Sequence, residues 1–363
     1  MANPNIRIVV VDDSSVFRSL VTSVLNSCPG IEVVGSAANG KLGLETLREV
    51  QADVAIIDLE MPEMDGIALL EAMTSARLNT KAILFASATK HSATSTLRAL
   101  NRGAVDFVVK PDGASSQTNS VGTKIKELLL PKILEIGANH PRVSATSPTH
   151  EPKIVRPYFP AVRWDSFLPR ALVVGSSTGG PAALEKILAG IGELRLPVFI
   201  VQHMPPLFTT ALAERLSSIS GLTVCEAVHQ EVVKPGKVYL APGDFHLTLK
   251  RTEHQVCVNL DKEPPRHFVR PAVDNLFETA VRTYGAGILG FVLTGMGADG
   301  RDGAVAIKQA GGAVVIQEEK SCIVYGMPGA VEQSGAWDEI ASLERVRTLI
   351  LRYGQAGLNK VAA

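Results

Sequence analysis

From residue 7 to about residue 136, short runs of β-branched apolar residues alternate with stretches in which apolar positions recur every three to four residues. The first pattern suits buried strands and the second amphipathic helices. Their alternation predicts strands joined by crossover helices in a parallel sheet. Five strands are predicted, at residues 8–11, 32–36, 54–58, 82–86 and 106–109, with intervening segments able to cover both faces. The expectation is a compact, doubly wound α/β domain.

Between about 138 and 169 the pattern disappears and Pro, His, Ser and Thr dominate, as in Pro148-Thr149-His150-Glu151-Pro152. Such a stretch buries too little apolar area to fold alone and reads as a semi-stiff linker. Periodicity resumes at Arg170, with strands predicted at 171–175, 198–201 and 287–294 and helices at 180–188, 207–218 and 300–310. The expected organisation is a first domain over 1–137, a linker over 138–168 and a second α/β domain, with a mainly parallel sheet, over 169–363. No internal repeat links the two.

The chain has 363 residues, 46% hydrophobic and 20% charged, enough for two ordinary cores. Lys+Arg and Asp+Glu are equal at 36 each, so no net field draws the protein to nucleic acid or to an anionic membrane. The four cysteines lie far apart with no C-x-x-C spacing, which argues against a disulfide framework or a zinc site and fits a reducing cytosol. The apolar run after the N-terminus stops at Asp12-Asp13, and no run approaches about 18 residues. A cytoplasmic protein with no membrane insertion is expected.

The chemistry of the first domain lies at its strand ends. In an open parallel sheet these converge on the carboxyl edge, so Asp12-Asp13 after the first strand and Asp58 at the end of the third should meet there. Three carboxylates in one small space call for a hard cation, and oxygen ligands with room for water suit Mg²⁺. A backbone carbonyl just past Asp58, from Glu60, would complete the set. Lys110 and Ser87, closing the fifth and following the fourth strand, add an ammonium and a hydroxyl, and together the parts could hold a phosphoryl group. Any one of these carboxylates alone would read as a helix cap.

Residues 5 to 136 thereby resemble the response-regulator receiver family, through Asp12-Asp13, the segment Asp58-Leu59-Glu60-Met61-Pro62 with Asp65-Gly66, Ser87, and Lys110-Pro111. The resemblance implies a flavodoxin-like fold in which Asp58 accepts a phosphoryl group from a histidine kinase with Mg²⁺ as cofactor. Ser87 and Lys110 would sense it, with Ser92 and Thr89 as neighbouring alternatives to Ser87.

In the second domain, Gly175-Ser176-Ser177-Thr178-Gly179-Gly180-Pro181 follows an apolar strand and opens a helix. Glycines permit the sharp turn and Pro181 suits the first helical position, which makes Ser177 the exposed serine of a G-x-S-x-G elbow. His203 immediately follows the next apolar run and would act as base. Asp299 follows another buried strand and would orient the imidazole. The order Ser, His, Asp differs from that of α/β-hydrolases, so the elbow does not import that fold. Each part has a structural alternative. The elbow could bind phosphate, His203 could be a satisfied core histidine with His246 or His267 as the base, and Asp299 could cap the helix starting near Gly300.

Five ordered motifs between residues 168 and 350 resemble the chemotaxis protein-glutamate methylesterases, the CheB family. They are Gly175 to Gly180, Gln202-His203-Met204-Pro205-Pro206, Tyr239 to His246, Arg270-Pro271-Ala272-Val273-Asp274 and Leu293 to Gly300. The resemblance implies Ser177 as nucleophile, His203 as general base and acid, and Asp299 as orienting carboxylate. It also implies the Met296 backbone N–H as an oxyanion donor and Thr178 beside the nucleophile, with no cofactor in this domain. Ser176 departs from the family's usual alanine. The implied reaction is hydrolysis of glutamate γ-methyl esters on methyl-accepting chemoreceptors, with deamidation of selected glutamines. The unphosphorylated receiver is implied to cover the esterase cleft. Two rival outputs are a DNA-binding module, for which residues 170 to 363 are too large and too neutral, and a non-catalytic phosphate- or nucleotide-binding domain.

Overall fold

The computed structural model describes residues 5–111, 118–138 and 159–355, which fall into two compact units divided between residues 151 and 152. Most of the predicted linker, residues 139–158, lies outside the described residues.

The first unit holds β1 (Ile6–Val11), α1 (Ser15–Asn26), β2 (Ile31–Ala37), α2 (Gly40–Glu49), β3 (Val54–Asp58), α3 (Gly66–Ser75), β4 (Lys81–Ala86), α4 (Lys90–Leu100), β5 (Ala104–Val109) and α5 (Thr118–Ala138). The helices start where the chain offers a capping side chain. Ser14 accepts from the Phe17 N–H, Asn39 from Leu42, Asp65 from Ala68 and Thr89 from Ser92. The five strands are parallel in the order β2-β1-β3-β4-β5. This is the flavodoxin-like arrangement, whose topological switch point lies between β1 and β3. Val11 is opposite Ile57, so the residues that follow, Asp12 and Asp58, leave the sheet side by side.

The second unit runs β6 (Ala171–Ser176), α6 (Gly180–Leu188), β7 (Val198–Gln202), α7 (Phe208–Ser220), β8 (Thr223–Glu226), β9 (Lys237–Leu240), β10 (His246–Arg251), β11 (Val256–Asp261), α8 (Val273–Tyr284), β12 (Ile288–Val292), α9 (Arg301–Gln309), β13 (Ala313–Gln317), α10 (Gly326–Ser334), β14 (Glu339–Ala341) and α11 (Leu343–Gly354). Seven strands form one parallel sheet in the order β14-β13-β12-β6-β7-β9-β8, and β10 with β11 makes a separate antiparallel hairpin that packs on α8. The central strands β6, β7, β12 and β13 are buried along their whole length, as strands covered on both faces must be. The chain steps from β6 to β7 on one side and later returns to place β12 on the other. The sheet's switch point therefore lies at β6.

The second unit is entered by residues that carried no periodic signal. Within the stretch read as linker, the Val162 N–H donates to Asp338 Oδ1 at 3.0 Å and the Lys308 ammonium donates to the Pro160 carbonyl at 3.0 Å. Trp164, tilted, and Phe167, edge-on, pack against the Tyr353 ring, whose hydroxyl donates to the Trp164 carbonyl at 2.7 Å. Irregular backbone held by side chains has no period to read, which is why this edge of the unit was not visible in the pattern.

Candidate active site

In the first unit, Lys110 Nζ donates to Asp12 Oδ2 at 2.9 Å and to Asp58 Oδ2 at 2.7 Å, and lies over the Phe17 ring at 4.8 Å. Carboxylate oxygens of Asp12, Asp13 and Asp58 come within 4.8 Å of one another, with Asp12 and Asp58 buried and Asp13 exposed. Burial, with the Asp12 charge behind it, pushes the Asp58 carboxyl up despite the opposing pull of Lys110 and of the Glu60 backbone N–H. Lys110 is held above the usual lysine value: burial disfavours its charge, but the hydrogen bonds and charges of Asp58 and Asp12 outweigh it. One ammonium shared by two buried carboxylates leaves net negative charge, and an all-oxygen donor set of this kind fits a small hard cation. Ser87 stands half-buried after β4, its N–H donating to Ser92 Oγ at 3.0 Å. Ser92 and Thr89 are thus engaged in the turn and the cap of α4.

In the second unit, Ser176 pairs with Gln202 across β6 and β7, so Ser177 and His203 emerge as neighbours. The His203 N–H donates to the Ser176 carbonyl at 3.1 Å. Ser177 is anchored by its N–H to the Thr294 carbonyl at 3.0 Å, and its carbonyl accepts the Gly180 N–H at 2.8 Å, which closes the elbow into α6. Gly179 has a φ of 78°, the left-handed conformation the turn requires, and a Cβ there would collide with Ile323.

His203 Nε2 lies 2.8 Å from Asp299 Oδ2. The same oxygen accepts the Val273 N–H at 2.6 Å, and Oδ1 accepts the Asp274 N–H at 2.9 Å. Asp299 therefore does cap a helix, but it is α8 and not the α9 that follows it. Burial pushes its carboxyl up. The His203 hydrogen bond and charge and the two backbone donors outweigh that effect and hold it below the usual carboxylate value. With Nε2 turned to Asp299, Nδ1 is the other imidazole nitrogen, and no hydrogen bond is made to it among the described residues. Among the described residues, no hydrogen bond joins the Ser177 hydroxyl to the imidazole.

The loop after β12 supplies the opposite wall. A Cβ on Gly295 would stand 2.8 Å from the Ser177 Cβ, so only glycine lets this backbone, and the half-buried Met296 after it, approach the elbow. Thr294 Oγ1 donates to the Thr178 carbonyl at 2.9 Å and accepts the N–H groups of Ile323 and Val324 at 3.1 Å. It knits the elbow, this loop and the segment before α10 together.

The other candidates are committed elsewhere. Ser176 is fully buried and donates to Gln202 Oε1 at 2.7 Å. His246 is fully buried, with Nδ1 accepting the Ala272 N–H at 3.2 Å and Nε2 lying 3.2 Å from the Pro264 carbonyl. His267 Nε2 lies 2.9 Å from Asp274 Oδ2.

Two residues that pattern reading left without a role now acquire one. Gln202, besides holding Ser176, donates from Nε2 to the Ser177 carbonyl at 2.9 Å and so braces the elbow from beneath. Asp274 is fully buried, accepts the Gly303 N–H at 2.7 Å, and has its carboxyl pushed up to about 6 by burial and then by the Asp299 charge. His267, Asp274 and Asp299 also bring ligand atoms within 4.8 Å of one another, but Arg266 at 3.5 Å and the backbone donors already serve these carboxylates.

A CheB methylesterase family model matches residues 172–350, and a response regulator receiver domain model matches residues 8–120. A protein-glutamate methylesterase/protein-glutamine glutaminase of Nocardioides sp. is 40% identical over 354 residues, covering 96% of this chain and 95% of its own. The chain belongs to the CheB methylesterase family. A second member, from Trichodesmium erythraeum, bears the same name and is 38% identical over 96% of this chain and 99% of its own. The crystal structure of the CheB methylesterase catalytic domain of Thermotoga maritima is 43% identical, covers 51% of this chain and 98% of its own, and superposes with a TM-score of 0.50. The family thus accounts for both units, a receiver and a methylesterase domain on a parallel sheet.

Proposed function

We infer that the chain is a receiver-controlled protein-glutamate methylesterase of the cytoplasm. It hydrolyses glutamate γ-methyl esters on methyl-accepting chemoreceptors and deamidates selected glutamines at the same site. The reading rests above all on Ser177 and His203 leaving adjacent strands in register while His203 leans on the backbone-anchored Asp299. Full-length relatives that bear this activity in their names support it.

In this reading His203 Nδ1 takes the Ser177 proton as Oγ attacks the ester carbonyl. Asp299, held ionised, stabilises the imidazolium and fixes the tautomer through Nε2. The oxyanion develops toward the Met296 backbone N–H, with Thr178 flanking the nucleophile. His203 returns the proton to the departing methoxide and then activates water against the acyl-enzyme. A glutamine side chain follows the same course with ammonia as leaving group.

The receiver would take a phosphoryl group on Asp58 from a histidine kinase. Asp12, Asp13 and Asp58 would hold Mg²⁺, which when bound supplies charge neutralisation at the phosphoryl oxygens. Lys110 would then exchange part of its pairing with Asp58 for the phosphoryl group, with Ser87 at the same edge, and this change would activate the esterase. The test is release of methanol from methylated receptor and of ammonia from its glutamines, both lost together in Ser177→Ala. Retention of either in that variant would sink the shared-site reading.

A further inference from the structure

Arg266 and Val269 pair with each other through two backbone hydrogen bonds, Arg266 N–H to the Val269 carbonyl at 3.1 Å and Val269 N–H to the Arg266 carbonyl at 3.0 Å. The residues between them, His267 and Phe268, have φ values of 52° and 63°. Two consecutive left-handed residues in a two-residue loop make a type I′ turn, a geometry that favours Asn-Gly. A histidine followed by a phenylalanine is strained there, and such strain persists only where the surroundings impose it.

The surroundings do impose it. The Arg266 guanidinium reaches Glu278 at 2.8 Å, Asp302 at 3.4 Å and Asp274 at 3.5 Å, and His267 Nε2 lies 2.9 Å from Asp274. Asp274 in turn donates its backbone N–H to Asp299. The turn is therefore fastened to the carboxylate that orients His203.

Phe268 takes no part in this fastening and is 101% exposed. The arginines on either side do not offer their charge outward, because Arg266 is held by three carboxylates and Arg270 by Asp244 at 2.5 Å. What the turn presents is an exposed aromatic ring on a mount tied through Asp274 to Asp299 of the catalytic centre. A ring so placed offers an apolar contact to whatever is brought to that centre.

Resting on the methylesterase reading, we propose that Phe268 is a specificity-determining residue that packs against an apolar side chain of the receptor polypeptide flanking the methylated glutamate. It acts on recognition of the protein substrate and leaves the chemistry at Ser177 alone.

Phe268→Asn removes the ring while keeping a residue that tolerates positive φ. Methanol release from a methylated receptor fragment is followed over a range of substrate concentrations, with full-length chain, phosphodonor and Mg²⁺. The expected result is a KM raised about tenfold, kcat within about twofold of the parent, an unchanged or higher Tm, and a KM restored in Phe268→Tyr. An unchanged KM in Phe268→Asn overturns the proposal. So does a loss of kcat accompanied by a lower Tm, which would make the turn purely structural. A parent protein that releases no methanol would instead defeat the methylesterase reading, and this inference with it.

Discussion

Asp274 donates its backbone N–H to Asp299 Oδ1 at 2.9 Å while its own carboxyl lies fully buried within 4.8 Å of the same side chain. The two carboxyls have been driven apart in acidity. Asp299, with His203 and two backbone donors, is held low, and Asp274 is pushed up to about 6 by burial and by the Asp299 charge.

That separation has a sign in stability. A carboxyl whose folded value is raised binds protons more tightly in the native state, so its contribution favours folding at acid pH and fades as the pH climbs from about 4 through about 6. Relative to Asp274→Asn, the parent should be more stable at about pH 4.5 than at about pH 7.5, by on the order of 2 kcal/mol. Denaturant melts of both proteins at the two pH values test this. A difference that does not change with pH would contradict it.

The two adjacent serines should separate cleanly. Ser177→Ala is expected to fold and to lose several orders of magnitude in kcat. Ser176→Ala removes only the donor to Gln202, at a cost of about 1 kcal/mol in stability and a few-fold in activity. Steady-state esterase kinetics on both variants decide the matter, and a dead Ser176→Ala beside an active Ser177→Ala would reverse the assignment.

Asp299→Asn should slow turnover by about 10³–10⁴-fold, because the imidazolium loses its counter-charge and the tautomer its lock. The amide keeps one acceptor for the first N–H groups of α8, so the fold should survive. Circular dichroism alongside kinetics would expose the contrary case, in which activity falls only because the protein unfolds.

Lys308 and Asp338 form an ion pair at 2.5 Å with both side chains buried, and between them they also hold the Pro160 carbonyl and the N–H groups of Val162 and Val314. Lys308→Met leaves Asp338 charged and under-partnered and should destabilise the second unit by about 3–5 kcal/mol. A loss below about 1 kcal/mol in a denaturant melt would mean that the pair contributes little.

Much of this architecture was readable in advance because both units are buried parallel sheets. Uninterrupted apolar runs such as Ile8 to Val11 and Ala171 to Val174 mark their central strands, and candidate site residues such as Asp58 and His203 end those strands or directly follow them. What escaped were the features made by contacts between distant segments. Gln202 reads as the tail of a strand until Ser176 is found opposite it. Asp274 and Arg266 carry no periodic signal, and the Arg266 to Val269 turn breaks the usual turn chemistry, so no Gly or Asn announces it. The helix that Asp299 caps lies earlier in the chain than Asp299 itself, which inverts the local capping rule.

The central claim is that phosphorylation at Asp58 governs ester hydrolysis at Ser177. Its most direct test is methanol release from methylated receptor, measured with and without a small phosphodonor and Mg²⁺ in the parent, Asp58→Asn and Ser177→Ala. The account predicts stimulation in the parent, a basal rate indifferent to phosphodonor in Asp58→Asn, and no release in Ser177→Ala under either condition. Stimulation that survives in Asp58→Asn, or methanol released by Ser177→Ala, would contradict it.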